Sequence, residues 1–296
     1  MKKIVISDGG KRVDEVLAVL LNYSRSKIQR MLISGHILIN DDMVKNSYFV
    51  KENDVVTITE VYDDNDILPN KMDINIVYED NDLLVIDKQN GLVVHPAVGN
   101  KDNTLVNGLI YYATSLSSIN GKFRPGIVHR IDAYTTGLIM VAKNDLAHAN
   151  LATQLEHHTI TRKYKALVWG VIKSDTATID APIGRDKKAR KKMCVTGENS
   201  KKAITHLTVL KRFEKVTLVE LCLETGRTHQ IRVHMNYIGY PIVNDPVYGR
   251  KKIIDNTGQC LHAYLLGFVH PSTKEYMEFS SSLPVCFTNI MDGFEA

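Results

Sequence analysis

Short apolar stretches separated by polar residues fill most of the chain after residue 73, and this pattern constrains the fold more than any other feature. Five stretches have the length and composition of strands: 83–86, 137–141, 163–169, 204–210 and 216–223. Helical spacing is evident at 145–158 and at 228–238, where Thr228 is the predicted N-cap. Successive strands with few helices predict an α+β fold, here a mixed, mostly antiparallel sheet with flanking helices.

Residues 12–60 have a different pattern and are predicted to form a small α/β module of their own. Apolar residues over 13–21 recur at the spacing of one buried helix face, and Gly35 marks the end of a second helix. Two short strands follow, and then an acidic stretch around Pro69 that discourages regular structure. The chain is therefore divided into a module over 1–60, a linker over 61–72 and a larger domain over 73–296.

Composition excludes several classes of protein. A chain of 296 residues with 44% hydrophobic residues can bury a sizeable core and does not resemble a disordered chain. No apolar run approaches the roughly 18–20 residues of a membrane helix, so no membrane partner is expected. The four cysteines lie far apart without a C-x-x-C pair, which indicates a reduced, cytoplasmic protein.

Positive charge is concentrated in one part of the chain, although the net formal charge is only +4. Six cations fall within eight positions: Arg185, Lys187, Lys188, Arg190, Lys191 and Lys192. Such a run is either a solvated face or a phosphate-binding loop, since clustered cations gain affinity from counterion release along a nucleic acid. Charge alone leaves both alternatives open.

Three segments combine glycines, cations and potential catalytic groups where periodicity does not require them: 88–96, 126–137 and 223–234. Asp132 lies in the second, in a loop between two strand-like runs. A carboxylate there either caps the backbone of the turn or is an active-site group presented from a rigid sheet. A nucleophilic carboxylate must stay ionised, which favours a nearby cation such as Arg130.

In the third segment Arg227, His229, Arg232 and His234 cluster at a helix N-terminus, where free N–H groups favour an anion. A zinc site would need His229, His234 and a third ligand such as His262. The five-residue spacing does not place both histidines on one helix face, and the arginines would oppose a metal. We therefore predict hydrogen bonds in the core for His234 and His262, and no metal site.

The motifs in these segments resemble those of the RluA/RluD family of pseudouridine synthases. H-R-I-D-A-Y-T-T-G-L at 129–138 is similar to the family's H-R-L-D-x-x-T-S-G-L, and T-G-R-T-H-Q-I-R-V-H at 225–234 matches a second signature. Further matches in the family's order occur at 88–96, 162–168 and 238–249. Residues 12–60 resemble the RNA-binding module named after ribosomal protein S-four. Five motifs in order are highly specific.

The resemblance implies an isomerase that converts uridine to pseudouridine in structured RNA, without a cofactor or a metal. Asp132 matches the family's catalytic aspartate, which attacks the target nucleotide. Tyr164 matches the tyrosine that packs against the target base, and Arg232 the arginine that pairs with the carboxylate. Arg130 matches an arginine that fills the gap left when the base is flipped out of its stack.

The resemblance also indicates the partners. Large-subunit ribosomal RNA is the expected substrate and transfer RNA the alternative, while DNA is not expected and a monomer is. Cations expected to hold RNA are Arg130, Arg227, Arg25, Lys27, Arg30, Lys187, Lys188, Arg190 and Lys191. The alternative function is a non-catalytic RNA-binding or ribosome-assembly factor. A hydrolase using Asp132 and His129 is a further, weaker alternative.

Overall fold

The computed structural model describes residues 2–21, 23, 25–59, 67–96, 100, 102–121, 124–189, 192–249 and 253–295, with residues 26, 27 and 30 described by their backbone alone. The chain forms two compact units, Met1–Asp66 and Ile67–Ala296. Their boundary falls within the predicted linker. Residues 61–66 of that linker lie outside the described residues, and 67–72 belong to the second unit.

The first unit is a three-stranded antiparallel sheet with two helices. Its elements are β1 (Lys2–Val5), α1 (Val13–Leu21), α2 (Arg25–Ile33), β2 (Ile37–Ile39) and β3 (Val55–Ile58). The strand order is β1-β3-β2. Val13 and Leu17, one turn apart on α1, are fully buried, as the helical spacing predicts. Strand β1 lies outside the predicted elements because three of its four residues are exposed, so that it has no alternating apolar pattern.

The second unit is built on a nine-stranded mixed sheet. Its strands are β4 (Ile76–Glu79), β5 (Leu83–Lys88), β6 (Thr136–Ala142), β7 (Thr161–Trp169), β8 (Thr176–Asp180), β12 (Ile204–Arg212), β13 (Val216–Leu223), β14 (Leu261–Val269) and β15 (Tyr276–Ser280). The order is β4-β5-β6-β14-β7-β13-β12-β8, with β15 paired to β14. Strands β6 and β14 are parallel, whereas the other described pairings of this sheet are antiparallel, which confirms the predicted fold class.

Four helices and a small sheet complete this unit. They are α3 (Leu105–Tyr112), α4 (Asp145–Glu156), α5 (Gln230–Tyr237) and α6 (Val285–Asp292), with β9 (Ile183–Arg185), β10 (Met193–Val195) and β11 (Ser200–Lys201) in the small sheet. Apolar residues of α3, α5 and α6 join the core on one side of the large sheet, and those of α4 join a second core with β5, β6 and β14. Burial on both faces explains why 83–86 and 138–141 are continuously apolar.

The N-cap of helix α5 is His229, one residue after the predicted N-cap Thr228, and Gln230 is the first helical residue. His229 adopts a left-handed conformation with φ of 57°, which ends the preceding loop and delays the first helical turn. The predicted N-cap Thr228 instead accepts a hydrogen bond from Arg130. No helix among the described residues combines the length and apolar character of a membrane-spanning segment.

Candidate active site

Asp132 lies in the loop that leads into β6, and a buried lysine holds this loop in place. Lys88, the last residue of β5, is fully buried. Its ammonium donates to the carbonyl oxygens of Gln89 at 3.0 Å, Leu92 at 2.9 Å and Ala133 at 2.7 Å. Burial lowers the pKa of Lys88 to about 7, an effect that the charge of Asp132 opposes. Since Ala133 follows Asp132 directly, Lys88 fixes the backbone that presents the carboxylate.

The start of β6 is fixed by a close approach of two backbones. Gly137 has φ of 105°, and a Cβ atom there would lie 2.2 Å from the carbonyl oxygen of Ala263 on β14. Only glycine fits this position. The neighbouring Thr136 hydroxyl lies 2.9 Å from Nδ1 of buried His262. The loop that carries Asp132 is therefore held at Ala133 by Lys88 and at the start of β6 by the contacts of Thr136 and Gly137.

Arg232 joins Asp132 to a second, fully buried carboxylate. Nη1 of Arg232 donates to Oδ2 of Asp132 at 2.9 Å. Its Nε and Nη2 donate to the two oxygens of Asp245 at 2.7 and 2.8 Å, a bidentate pair. Burial raises the pKa of Asp245, but the hydrogen bonds and charge of Arg232, together with the backbone N–H groups of Val247 and Tyr248, outweigh this effect and the net shift is downward. Helix α5 and the 242–249 loop thus orient Asp132 through one guanidinium.

His229 lies beside this pair, and its burial disfavours the protonated ring. Its Nε2 is 3.9 Å from Asp132, and its Nδ1 is 2.8 Å from the Tyr248 hydroxyl. Desolvation lowers the pKa of His229. Arg232 is consequently the cation that contacts the carboxylate.

Asp132 opens into a cavity of about 450 Å³. Its size falls within the roughly 300–1,000 Å³ typical of small-molecule sites. Tyr164 of β7 lines the cavity with 7% of its surface exposed, and burial raises the pKa of its hydroxyl. The Asp132 side chain is 25% exposed, so a ligand in the cavity can reach the carboxylate.

Two of the predicted RNA-binding cations lie at this cavity. Arg130 is exposed and donates to the Thr228 hydroxyl at 3.1 Å. Arg227 donates to the carbonyl oxygen of Lys202 at 2.9 Å. The structure therefore brings Arg130, Arg227 and the three predicted catalytic residues together around one cavity.

The other predicted cations are not part of the described cavity lining. Lys187 pairs with Glu198, and Lys188 lies in the turn after β9, where Asp186 accepts from its backbone N–H at 2.7 Å. Arg190 and Lys191 lie outside the described residues, as do the side chains of Lys27 and Arg30.

Arg25 is exposed as expected, but it is not a free cation. Its guanidinium pairs with the buried carboxylate of Asp14 and with Glu15, both at 3.1 Å. RNA would have to compete with these two partners for Arg25.

The histidines serve the structure as predicted. His234 is fully buried, with Nδ1 2.9 Å from the Thr205 hydroxyl and Nε2 2.9 Å from the carbonyl oxygen of Ala181. His262 bonds to Thr136 and to the Ser281 carbonyl oxygen. Both ring nitrogens of His234 and of His262 are engaged in hydrogen bonds, so neither histidine is available as a zinc ligand.

Nε2 of His129 is likewise engaged in a structural hydrogen bond. This atom accepts from the backbone N–H of Met140 at 3.1 Å, and desolvation lowers the pKa of His129 to about 3. The hydrolase alternative, which requires His129, is therefore weakened.

Two functional contributions were missed because they depend on contacts distant in sequence. Lys88 is 45 residues from Ala133, and its position in a glycine-containing segment gave the only hint. Asp245 lies within a stretch that resembles the family but has no assigned role there. Its pairing with Arg232 becomes evident only when α5 and the following loop are seen together.

Comparisons with known proteins agree with this geometry. A sequence model of the RNA pseudouridylate synthase family matches residues 82–237, and a model of the S4 domain matches residues 11–56. An uncharacterized RNA pseudouridine synthase of Bacillus subtilis, YlyB, is 54% identical over 96% of this chain and 94% of its own length. The ribosomal large subunit pseudouridine synthase D of Pseudomonas aeruginosa is 42% identical over 94% of this chain and 90% of its own.

A solved structure shares most of this fold. Human RNA pseudouridylate synthase domain containing 1 superposes with a TM-score of 0.60 at 27% identity. The match covers 76% of this chain and 95% of the human one.

Proposed function

This chain belongs to the RNA pseudouridylate synthase family and carries an N-terminal S4 domain, and from that premise we propose that it isomerises specific uridines of large-subunit ribosomal RNA with Asp132 as the nucleophile. One observation carries the second part of the proposal. The Asp132 carboxylate is oriented by Arg232 at 2.9 Å and lines a cavity whose wall includes buried Tyr164.

The reaction conserves all atoms of the nucleotide. The bond between N1 of uracil and C1′ of ribose breaks, C5 of the base bonds to C1′, the proton of C5 is lost and N1 takes up a proton. No oxidant or reductant is required. In this proposal Asp132 attacks the target nucleotide, and the bond that it forms breaks again before the product leaves, which regenerates the carboxylate. Tyr164 packs against the detached base and keeps it within the cavity.

The target base must leave its stack before Asp132 can reach it. Flipping costs a few kcal/mol, which contacts to the RNA must offset. The proposed role of Arg130 is to fill the gap left by the base; its exposure at the cavity and its hydrogen bond to Thr228 support this. The S4 domain supplies a second RNA contact on a unit with its own core.

Ribosomal RNA is proposed as the substrate because relatives of this chain are named ribosomal large subunit pseudouridine synthase D. These relatives align over 93% and 94% of this chain, which is too large a share to leave out either of the two units. The resemblance therefore covers the RNA-contacting unit as well as the catalytic one.

The substrate is tested by incubating the protein with separate transcripts of large-subunit ribosomal RNA, small-subunit ribosomal RNA and transfer RNA. Pseudouridine is then quantified by nucleoside analysis. Modification of the large-subunit transcript alone is expected. Modification of transfer RNA alone would overturn the substrate assignment while leaving the enzyme class intact. Tight RNA binding without pseudouridine would favour the ribosome-assembly alternative.

A further inference from the structure

One charged side chain in the cavity has no role in the reaction described above. Arg162 is on β7, two residues before Tyr164, and its side chain faces the same side of the sheet. It lines the cavity with only 7% of its surface exposed. At this side of β7 the neighbouring inward residues, Tyr164 and Ala166, belong to the hydrophobic core.

The guanidinium of Arg162 makes little use of its hydrogen-bonding capacity. It carries five N–H donors, and Nη2 reaches the carbonyl oxygen of Glu224 at 3.4 Å. Its buried Nε has no hydrogen-bond partner among the described residues. Nor do the described parts of the chain place a carboxylate oxygen within 4.0 Å of Arg162. A buried cation without a counter-charge is costly, and an arginine cannot reduce that cost by losing its proton.

The acids of the site do not supply the missing counter-charge: Glu156, which also lines the cavity, is exposed, and among the described residues it makes no ion pair with Arg162. Asp132 and Asp245 are both engaged by Arg232. Arg130 and Arg227 line the same cavity and donate to neutral oxygens, a hydroxyl and a carbonyl. Three arginines of the cavity, Arg130, Arg162 and Arg227, thus have no carboxylate partner among the described residues.

Gly226 leaves the space that the guanidinium occupies. A Cβ atom at this position would lie 2.8 Å from Nη1 of Arg162. Since Nη1 is the end of a flexible side chain, alanine at 226 would displace the guanidinium without removing its charge. Gly226 is therefore a second position from which the placement of Arg162 can be changed.

We propose that Arg162 binds a phosphate oxygen of the RNA nucleotide that enters the cavity; this inference rests on the proposed function and adds a substrate-binding residue to it. A phosphate supplies the negative charge that the buried guanidinium lacks, and its paired oxygens match the planar N–H fork of arginine. A neutral uracil carbonyl would accept a hydrogen bond but leave the charge uncompensated.

The test compares the native chain with Arg162→Met, Arg162→Lys and the control Lys165→Gln. Lys165 is on the same strand but faces away from the cavity, with its ammonium 4.6 Å from the ring centroid of Tyr264. Dissociation constants for a transcript of large-subunit ribosomal RNA are measured over a series of salt concentrations. Loss of one phosphate contact lowers the slope of log K against log salt by about 0.7 to 0.9.

Arg162→Met is expected to weaken RNA binding roughly tenfold or more, since a charge-assisted hydrogen bond is lost. The slope of log K against log salt should fall by the amount that corresponds to one phosphate contact. Arg162→Lys should retain the slope with intermediate affinity, as should Gly226→Ala, because both keep the charge. The control should match the native chain. Thermal unfolding without RNA should place Arg162→Met at or above the native melting temperature, because an unpaired buried charge is removed.

If Arg162→Met binds RNA with the affinity and the salt slope of the native chain, the inference is overturned. If that variant also melts well below the native chain, Arg162 has a structural role instead. The outcome is separable from the proposed function. A native chain that binds RNA with the expected Arg162 dependence but forms no pseudouridine would contradict the proposed function and support the phosphate contact. A native chain that forms pseudouridine, but whose RNA affinity does not change in the Arg162 variants, would support the proposed function and contradict the phosphate contact.

Discussion

Replacing Arg232 by methionine should destabilise the protein in a way that depends on pH with a predictable sign. The substitution removes both hydrogen bonds to Asp245, at 2.7 and 2.8 Å, and the one to Asp132. Asp245 is fully buried and would keep only the backbone N–H groups of Val247 and Tyr248. Asp132 is 25% exposed, so water can replace its lost partner.

The magnitude follows from the burial of Asp245. Removing one partner of a buried ion pair costs about 3–5 kcal/mol of unfolding free energy, because the remaining charge is left uncompensated. For a unit of this size each kcal/mol changes the melting temperature by roughly 2–4 °C. Arg232→Met should therefore melt roughly 6–20 °C below the native chain at neutral pH.

The sign of the pH dependence comes from Asp245. In the native chain burial raises the pKa of Asp245, but Arg232 and the backbone N–H groups of Val247 and Tyr248 together lower it by more, so the net shift is downward. The lowered pKa of Asp245 corresponds to a contribution to the unfolding free energy. This contribution is present above the pKa of the unfolded chain, near 4, and is lost as pH falls through the pKa of the folded chain. Without Arg232, burial is opposed only by the backbone donors, so the pKa should rise. Stability is then lost as pH rises through this folded pKa.

The difference in unfolding free energy between the native chain and Arg232→Met should thus grow between pH 5 and pH 8, by at most about 1.36 kcal/mol per pH unit. Urea unfolding at three pH values measures it. Adding Asp245→Asn to Arg232→Met should recover much of the loss, because the amide oxygen can still accept from Val247 and Tyr248. An equal loss at every pH, or no recovery in the double variant, would refute this reasoning.

Two other perturbations have defined outcomes. Lys88→Met should lower the unfolding free energy by about 3 kcal/mol or more, because three carbonyl oxygens lose their donor at roughly 1–3 kcal/mol each; an unchanged urea midpoint would contradict this. Deleting residues 2–66 should weaken RNA binding but preserve turnover on short RNA fragments, since the two units have separate cores. Filter binding and nucleoside analysis test this, and equal affinity and site choice would argue against a substrate-reading role for the S4 domain.

The sequence identified the elements with strong apolar patterns. The strands at 137–141 and 216–223 and the helix from 145 were predicted, and Asn144 caps that helix by accepting from Ala147 at 2.9 Å. Strand β8 has a single buried residue, Ile179, and therefore no pattern to detect. Strand β8 forms because its backbone pairs with β12, a contact between segments that are distant in sequence.

The candidate site divides in the same way. Asp132, Tyr164 and Arg232 were found through motifs, and the fold brings them to one cavity. The unpaired charge of Arg162 could not be recognised from sequence, because a basic residue in a strand is ordinary until its inward direction is known. The partners of Arg25 were likewise hidden, since Asp14 lies on the preceding helix.

Tritium release shows whether Asp132 performs the chemistry. Because C5 of uracil exchanges its hydrogen for a bond to C1′, RNA labelled at C5 releases tritium with each turnover. The native chain is predicted to release tritium from large-subunit ribosomal RNA, and Asp132→Asn to release none while binding the RNA with unchanged affinity. Release by Asp132→Asn at the native rate would contradict the account.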